Sequence, residues 1–281
     1  GVLALCGALC FAELGAAMPE AGGEYVYVRE TFGQAAGFTN AFVALLAGFS
    51  APIAGALKSL IAYLGHFIPV FAENPAVVGA VGLNDLAAIA VGWILVVIHT
   101  RGIGLGLGFN DVVTAFKVLG IVAIIVAAFA VGSGNAAGLS HVGPKFESMS
   151  LSDGFASYAT ALIFVSFCYL GWNASAYMAA EMPDPQRQLP RSLLLGTALV
   201  TALYLLLNVV YLYGANVEQL AGKVDVGVVA AQNLFGPTGV SLVTVVLSVS
   251  ILASASAMTA VGPRLYYAFG KDFAPLAVLA R

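Results

Sequence analysis

Leu193-Leu-Leu-Gly-Thr-Ala-Leu-Val-Thr-Ala-Leu-Tyr-Leu-Leu-Leu-Asn-Val-Val-Tyr-Leu-Tyr213 runs for 21 residues without a charged side chain. At about 1.5 Å per residue a helix of this length covers about 31 Å, the thickness of a bilayer's hydrocarbon core. A single run of this kind also suits a deeply buried helix of a soluble protein. Working outward from it, six more apolar segments appear, so that seven lie near residues 1–18, 36–68, 78–99, 112–132, 154–180, 193–213 and 238–262. Seven in succession make the soluble reading untenable.

Composition agrees. The 281 residues are 60% hydrophobic and only 9% charged, with a mean hydropathy of +0.96. Soluble domains carry about 25% charged residues, so this chain lacks the polar surface that water requires. A soluble enzyme, a disordered chain and a nucleic-acid binder are excluded; the formal net charge of −3 offers nucleic acid no basic field. The expected class is an all-α, multi-pass membrane protein, with residues 1–281 forming one membrane unit. Cys6, Cys10 and Cys168 are too few for a disulfide framework. The first residue is Gly, no basic segment precedes the apolar run, and the chain reads as part of a longer protein.

Charge placement orients the spans. Alternate loops hold Arg29, Arg101, Arg187, Arg191, Arg264, Lys271 and Arg281, whereas the other set holds only Lys145 and Lys223. The richer side is expected to be cytoplasmic. Asp85 weakens the third segment and belongs near a membrane face. Val217 to Phe235 is apolar enough for a helix on the outer mouth, either a gate or a surface helix.

The fifth segment contains the most informative interruption, Phe164-Val-Ser-Phe-Cys-Tyr-Leu-Gly-Trp-Asn-Ala-Ser175. Glycine costs about 1 kcal/mol relative to alanine inside a helix, and Trp172 and Asn173 bring polar groups that need partners. Two readings fit: half-helices that meet at a break and leave peptide groups free, or a kinked continuous helix with aromatic packing. Next comes Glu181-Met-Pro-Asp-Pro-Gln-Arg-Gln-Leu-Pro-Arg191, a proline-rich connector that starts the next helix near Pro190. Glu13 sits about one turn inside the first segment, where a carboxylate needs a partner or an interface. Lys58 and Lys117 lie within spans; each either snorkels to the interface or, for Lys117, supplies a cation inside the bundle. His66, His99 and His141 are far apart and show no metal-binding spacing, and no phosphate-binding Gly-Lys-Ser/Thr motif occurs. No metal or cofactor is expected.

Four blocks in register resemble the amino acid–polyamine–organocation transporters. They are Ala12-Glu13-Leu-Gly15 with Pro19 and Gly22-Gly-Glu-Tyr-Val-Tyr27; Thr114-Ala-Phe-Lys-Val-Leu119; Phe167-Cys-Tyr-Leu-Gly-Trp-Asn173 leading into Ala180-Glu-Met-Pro-Asp-Pro185; and Gly262-Pro-Arg-Leu-Tyr-Tyr267 with Lys271-Asp272. The resemblance covers essentially the whole chain. It implies a fold of two inverted five-helix repeats, as in bacterial leucine transporters, working by alternating access. The seven segments would match the family's second to eighth helices, with the first helix and those after the eighth missing from this stretch.

By position, the resemblance implies that carbonyls around Phe167, Cys168, Tyr169 and Leu170 accept a substrate ammonium, with Phe167 as an aromatic gate. Gly171 would supply the break, and Trp172 and Asn173 would face the pocket. Lys117 would take the place of a sodium ion, with Ser250 and Ser254 as partners, and its proton would couple transport to pH. Glu13, Glu181 and Arg187 would serve the cytoplasmic gate and connector. The function implied is a secondary carrier of amino acids in the cytoplasmic membrane, without enzymatic activity, coupled to protons or working by exchange. A polyamine or organic-cation carrier is the alternative, disfavoured by the absence of acidic residues from Gly154 to Ala180. A seven-helix receptor or a channel is the rival from another class; a retinal protein needs a lysine in its last span, and Thr238 to Val261 has none.

Overall fold

The computed structural model describes residues 1–136, 139, 150–223 and 225–280, so His141, Lys145 and Arg281 lie outside the described residues. The helices are α1 (Val2–Ala17), α2 (Glu24–Phe32), α3 (Gln34–Leu64), α4 (Pro69–Glu73), α5 (Leu83–Thr100), α6 (Ile103–Ala130), α7 (Leu151–Cys168), α8 (Pro185–Gly214), α9 (Val217–Leu220) and α10 (Val226–Asp272). Two 3₁₀ helices, Ala174–Glu181 and Ala274–Ala280, complete the set. Among the described residues six helices are long and apolar enough to cross a membrane: α3, α5, Gly104–Ala130 of α6, α7, α8 and α10. The seventh expected span corresponds to α1, an apolar helix of 16 residues. The protein is an all-α, multi-pass membrane protein.

Local chemistry explains where these helices depart from the sequence expectation. Hydropathy starts the third segment near residue 78, but Ala76–Val78 and Val81–Gly82 pair as a small antiparallel hairpin. Three valines favour extended backbone there, and Gly79 takes φ +56 at the turn. Helix α5 starts only at Leu83, where the Asp85 carboxylate accepts from the Gly82 N–H at 3.0 Å and caps the first turn. Lys58 meets the same carboxylate at 2.8 Å. The fourth segment begins earlier than expected, at Ile103, which places Asn110 and Asp111 inside α6. Within α3, Ala44–Ser50 is π-helical; Pro52 lies just beyond, and its missing N–H removes one rung of the ladder. The Ser50 hydroxyl donates to the Leu45 carbonyl at 2.7 Å. Gly236, at φ +70 before Pro237, divides α10, so the outer segment 217–235 is two short helices rather than one.

Two compact units make up the chain. The first comprises residues 1–115, 171–198 and 248–281. Its core gathers Ala8 and Ala12 of α1, Tyr25 and Val26 of α2, Tyr177, Leu189, Leu193, Leu265 and Phe269. Ala8, Ala12 and Gly15 are the buried face of α1, and small residues there let neighbouring backbones approach closely. A Cβ on Gly15 would collide with the Leu189 side chain. A second cluster in the same unit joins Leu57 and Ile61 to Ala88, Leu95 and Ala255. The second unit comprises residues 116–170 and 199–247, with Ile125, Ala128, Val210 and Leu234 as its core.

Candidate functional site

Helix α7 ends at Cys168, and Gly171 takes φ +96, a conformation that glycine alone adopts without strain. Across Phe167 to Asn173 the backbone bonds are short-range: Tyr169 N–H to the Ser166 carbonyl (3.1 Å), Leu170 to Phe167 (3.2 Å) and Ala174 to Gly171 (3.0 Å). No helical i to i+4 ladder crosses this stretch among the described residues. The N–H groups of Gly171, Trp172 and Asn173 and the carbonyls of Tyr169 and Leu170 join no backbone bond there. The broken-helix expectation therefore holds over the kinked one. Beyond the break the chain forms a 3₁₀ helix rather than a second α-helix. Ala176 and Ala179, three apart and fully buried, stack on one edge of that tighter coil.

Within the second unit, the Tyr204 hydroxyl donates to the Cys168 carbonyl at 2.7 Å, and the two rings Tyr169 and Tyr204 meet edge to face at 5.2 Å. Phe167 and Leu170 are 65% and 70% exposed. The C-terminal end of α7 carries the negative pole of its dipole.

Within the first unit, the turn after the break is held from two directions. Trp172 packs edge to face on Phe11 at 4.9 Å and against Gly7, where a Cβ would come within 2.9 Å of Cζ2. Asn173 Nδ2 donates to Glu24 Oε1, and Tyr177 also bonds to the Glu24 carboxylate. Gly22 and Gly23 make this approach possible: Gly23 takes φ +52 with the Tyr177 ring 2.9 Å from where its Cβ would stand. Burial pushes the Glu24 carboxyl above its ordinary value, against the hydrogen bonds from Asn173 and Tyr177 that favour the charged form.

A second polar cluster ties α2 to the end of α10. The Tyr25 hydroxyl donates to Asp272 Oδ2 at 2.5 Å, Arg29 binds the same oxygen, and the guanidinium also meets Glu30 at 2.8 Å. Glu181, at the end of the 3₁₀ helix, pairs with Arg264 of α10. Arg187 lies 3.8 Å from Asp184, one turn away. Glu13 is exposed on α1. Lys117 is half-buried on α6 with no hydrogen-bond or ion-pair partner among the described residues. The Ser254 hydroxyl donates to the Ser250 carbonyl at 3.0 Å, within its own helix. His99 Nε2 lies 3.0 Å from the Ser256 hydroxyl.

The structure thus brings Asn173 to Glu24 and Cys168 to Tyr204. Sequence reasoning left Glu24, Tyr177, Tyr204, Arg264 and Asp272 out of the candidate site. Adjacent glycines beside a lone carboxylate were the available signal for Glu24; nothing local marks Tyr204.

These features define a multi-pass helical membrane protein with an interrupted span and polar connectors at helix ends. Residues 1–275 match the model of the amino acid permease family, and the chain belongs to that family. Over 283 residues it is 30% identical to b(0,+)-type amino acid transporter 1 of Homo sapiens, covering all of this chain and 55% of that protein. It is 31% identical over 242 residues to large neutral amino acids transporter small subunit 2 of Mus musculus, covering 84% of this chain and 43% of that protein. Both are named as transporters rather than enzymes. The chain spans about half the length of the curated relatives it matches.

Proposed function

We propose that this chain forms part of a secondary carrier that moves amino acids across the cell membrane by alternating access. The single observation that carries the reading is the break at Gly171, which leaves peptide groups bare within an otherwise apolar span. In lipid such groups are costly unless they line a cavity or meet a polar solute. A zwitterion suits them: the Tyr169 and Leu170 carbonyls, at the negative end of α7, accept its ammonium. Phe167 covers that end. The Cys168 carbonyl is already engaged by Tyr204, so it orients the peptide plane and the next two carbonyls do the binding. Asn173 takes its position from Glu24. Family membership and the names of the relatives support amino acids as the substrate class.

Lys117, half-buried in an apolar helix and without a hydrogen-bond or ion-pair partner among the described residues, is the coupling cation. Glu181 and Arg187 serve the cytoplasmic connector, and Glu13 the neighbouring helix end. The seven apolar segments are read as one membrane-transport domain that corresponds to the family's second to eighth helices within an inverted-repeat bundle.

The test is uptake of labelled neutral and cationic amino acids, and of polyamines, into proteoliposomes holding the membrane protein that contains these residues. Saturable uptake of an amino acid, reduced by Gly171→Val, is the expected result. Uptake of polyamines alone transfers the reading to the organic-cation alternative, and uptake of neither removes it.

A further inference from the structure

Glu24 is a half-buried carboxylate to which the carrier reading gives only the placing of Asn173. It stands at the start of α2, outside the six long apolar helices, and its hydrogen-bond partners are both neutral: the Asn173 amide and the Tyr177 hydroxyl. Beside it, the Tyr27 hydroxyl is buried with no hydrogen-bond partner among the described residues. An orphaned buried hydroxyl is rare enough to need a reason, and a partner that changes hands between two states supplies one.

We propose that Glu24 is a proton-binding group that tethers the chain just after the Gly171 break, holding Asn173 and Tyr177 as a carboxylate and releasing them as a neutral acid. Hydrogen bonds to a charged acceptor are about twice as strong as neutral ones, so taking up a proton weakens both. The released acid has its own O–H to donate, and the Tyr27 oxygen is the vacant acceptor nearby. The titratable groups that act on this cluster are Tyr27 from α2 and Tyr177 from the 3₁₀ helix. Gly15 of α1 faces the Tyr27 hydroxyl and Ala268 of α10 faces Gly22, and neither carries a charge. Arg29 and Asp272 face each other and Tyr25. Burial favours the neutral acid, which brings protonation above the ordinary value of 4.5.

The consequence for transport rests on the carrier reading; the tether itself does not. The 281 residues hold two tryptophans, Trp93 and Trp172, so replacing every tryptophan but Trp172 by Phe, Trp93→Phe included, leaves Trp172 as a lone reporter next to Asn173. In this background Trp172 fluorescence is expected to titrate with a midpoint above 4.5, the ordinary value, and Glu24→Gln to abolish the transition. A transition unchanged by Glu24→Gln, or none in the single-tryptophan protein, overturns the proposal. Should Glu24→Gln fail to fold, Asn173→Ala decides: losing the bond that favours the carboxylate moves the midpoint upward, and an unmoved midpoint overturns the tether. The pH profile of amino acid uptake, flattened by Glu24→Gln, then extends the tether to coupling. Absent uptake with the fluorescence transition intact removes the carrier reading and leaves the tether standing.

Discussion

Arg264 grips Glu181 with two prongs, Nε to Oε1 at 2.8 Å and Nη2 to Oε2 at 2.9 Å, and a third guanidinium nitrogen donates to the Ala260 carbonyl of its own helix. The pair joins the end of the 3₁₀ helix after the break to α10. The Arg264 side chain is 19% exposed and that of Glu181 38%, so solvent screening discounts the ion pair to about 1 kcal/mol. Arg264→Lys keeps the charge and loses the fork. The expected outcome is a lower unfolding midpoint in detergent for Arg264→Lys and for Glu181→Gln. A double-mutant cycle should then show a coupling of about 1 kcal/mol; additive single effects contradict the pairing.

Gly7 gives Trp172 its seat. An added Cβ would stand 2.9 Å from Cζ2 and 3.1 Å from Cη2 of a rigid indole, which has no flexible end to swing aside. Overpacking of this kind costs about 1–3 kcal/mol. Gly7→Ala is therefore expected to lower thermal stability and to shift the Trp172 emission, because the ring must tilt away from Phe11. Gly104→Ala, with nothing within 4 Å of its added Cβ, is the matched control and should neither lower stability nor shift the emission.

How much of the molecule is legible in the sequence divides along physical lines. The spans are readable because a bilayer imposes length and composition on each helix separately. The break at Gly171 is readable as one of two alternatives, since glycine, tryptophan and asparagine crowd a single stretch. Partnerships are not: Glu24 meets Asn173 across 149 residues and Tyr25 meets Asp272 across 247, and no local pattern encodes such separations. Lys58 shows the same limit, since a snorkelling lysine and one paired with Asp85 look alike in sequence. Helix starts also slip, at Leu83 and Ile103, where a capping carboxylate or a tolerated Asn-Asp pair decides the boundary rather than hydropathy.

Tyr204 offers a test of how the end of α7 is held. Its hydroxyl donates to the Cys168 carbonyl at 2.7 Å, and a hydrogen bond of this kind contributes about 1 kcal/mol. Tyr204→Phe keeps the ring against Tyr169 and frees the carbonyl. On the proposed function, the freed peptide plane loosens the next two carbonyls, and KM for amino acid uptake rises about fivefold, the equivalent of that energy. An unchanged KM places the Tyr204 bond outside substrate binding.

Alkaline titration separates the two buried tyrosines of α2 from the exposed ones. Burial pushes Tyr25 up to about 12, helped by Asp272, and pushes Tyr27 up to about 12, helped by the nearby Glu24 charge. In the unfolded chain both ionise near their ordinary value of 10.0. Between these values the unfolded state has lost protons that the folded state still binds, so stability is complete below about 10 and falls as pH rises toward about 12. Unfolding in detergent across this window is expected to steepen with pH, and Tyr25→Phe and Tyr27→Phe each to flatten the slope. Removing the Asp272 charge with Asp272→Asn should let Tyr25 ionise earlier, while Tyr27, which answers to Glu24, should not move. A Tyr25 that does not move in Asp272→Asn would mean that burial alone sets it and that the Asp272 contact contributes nothing.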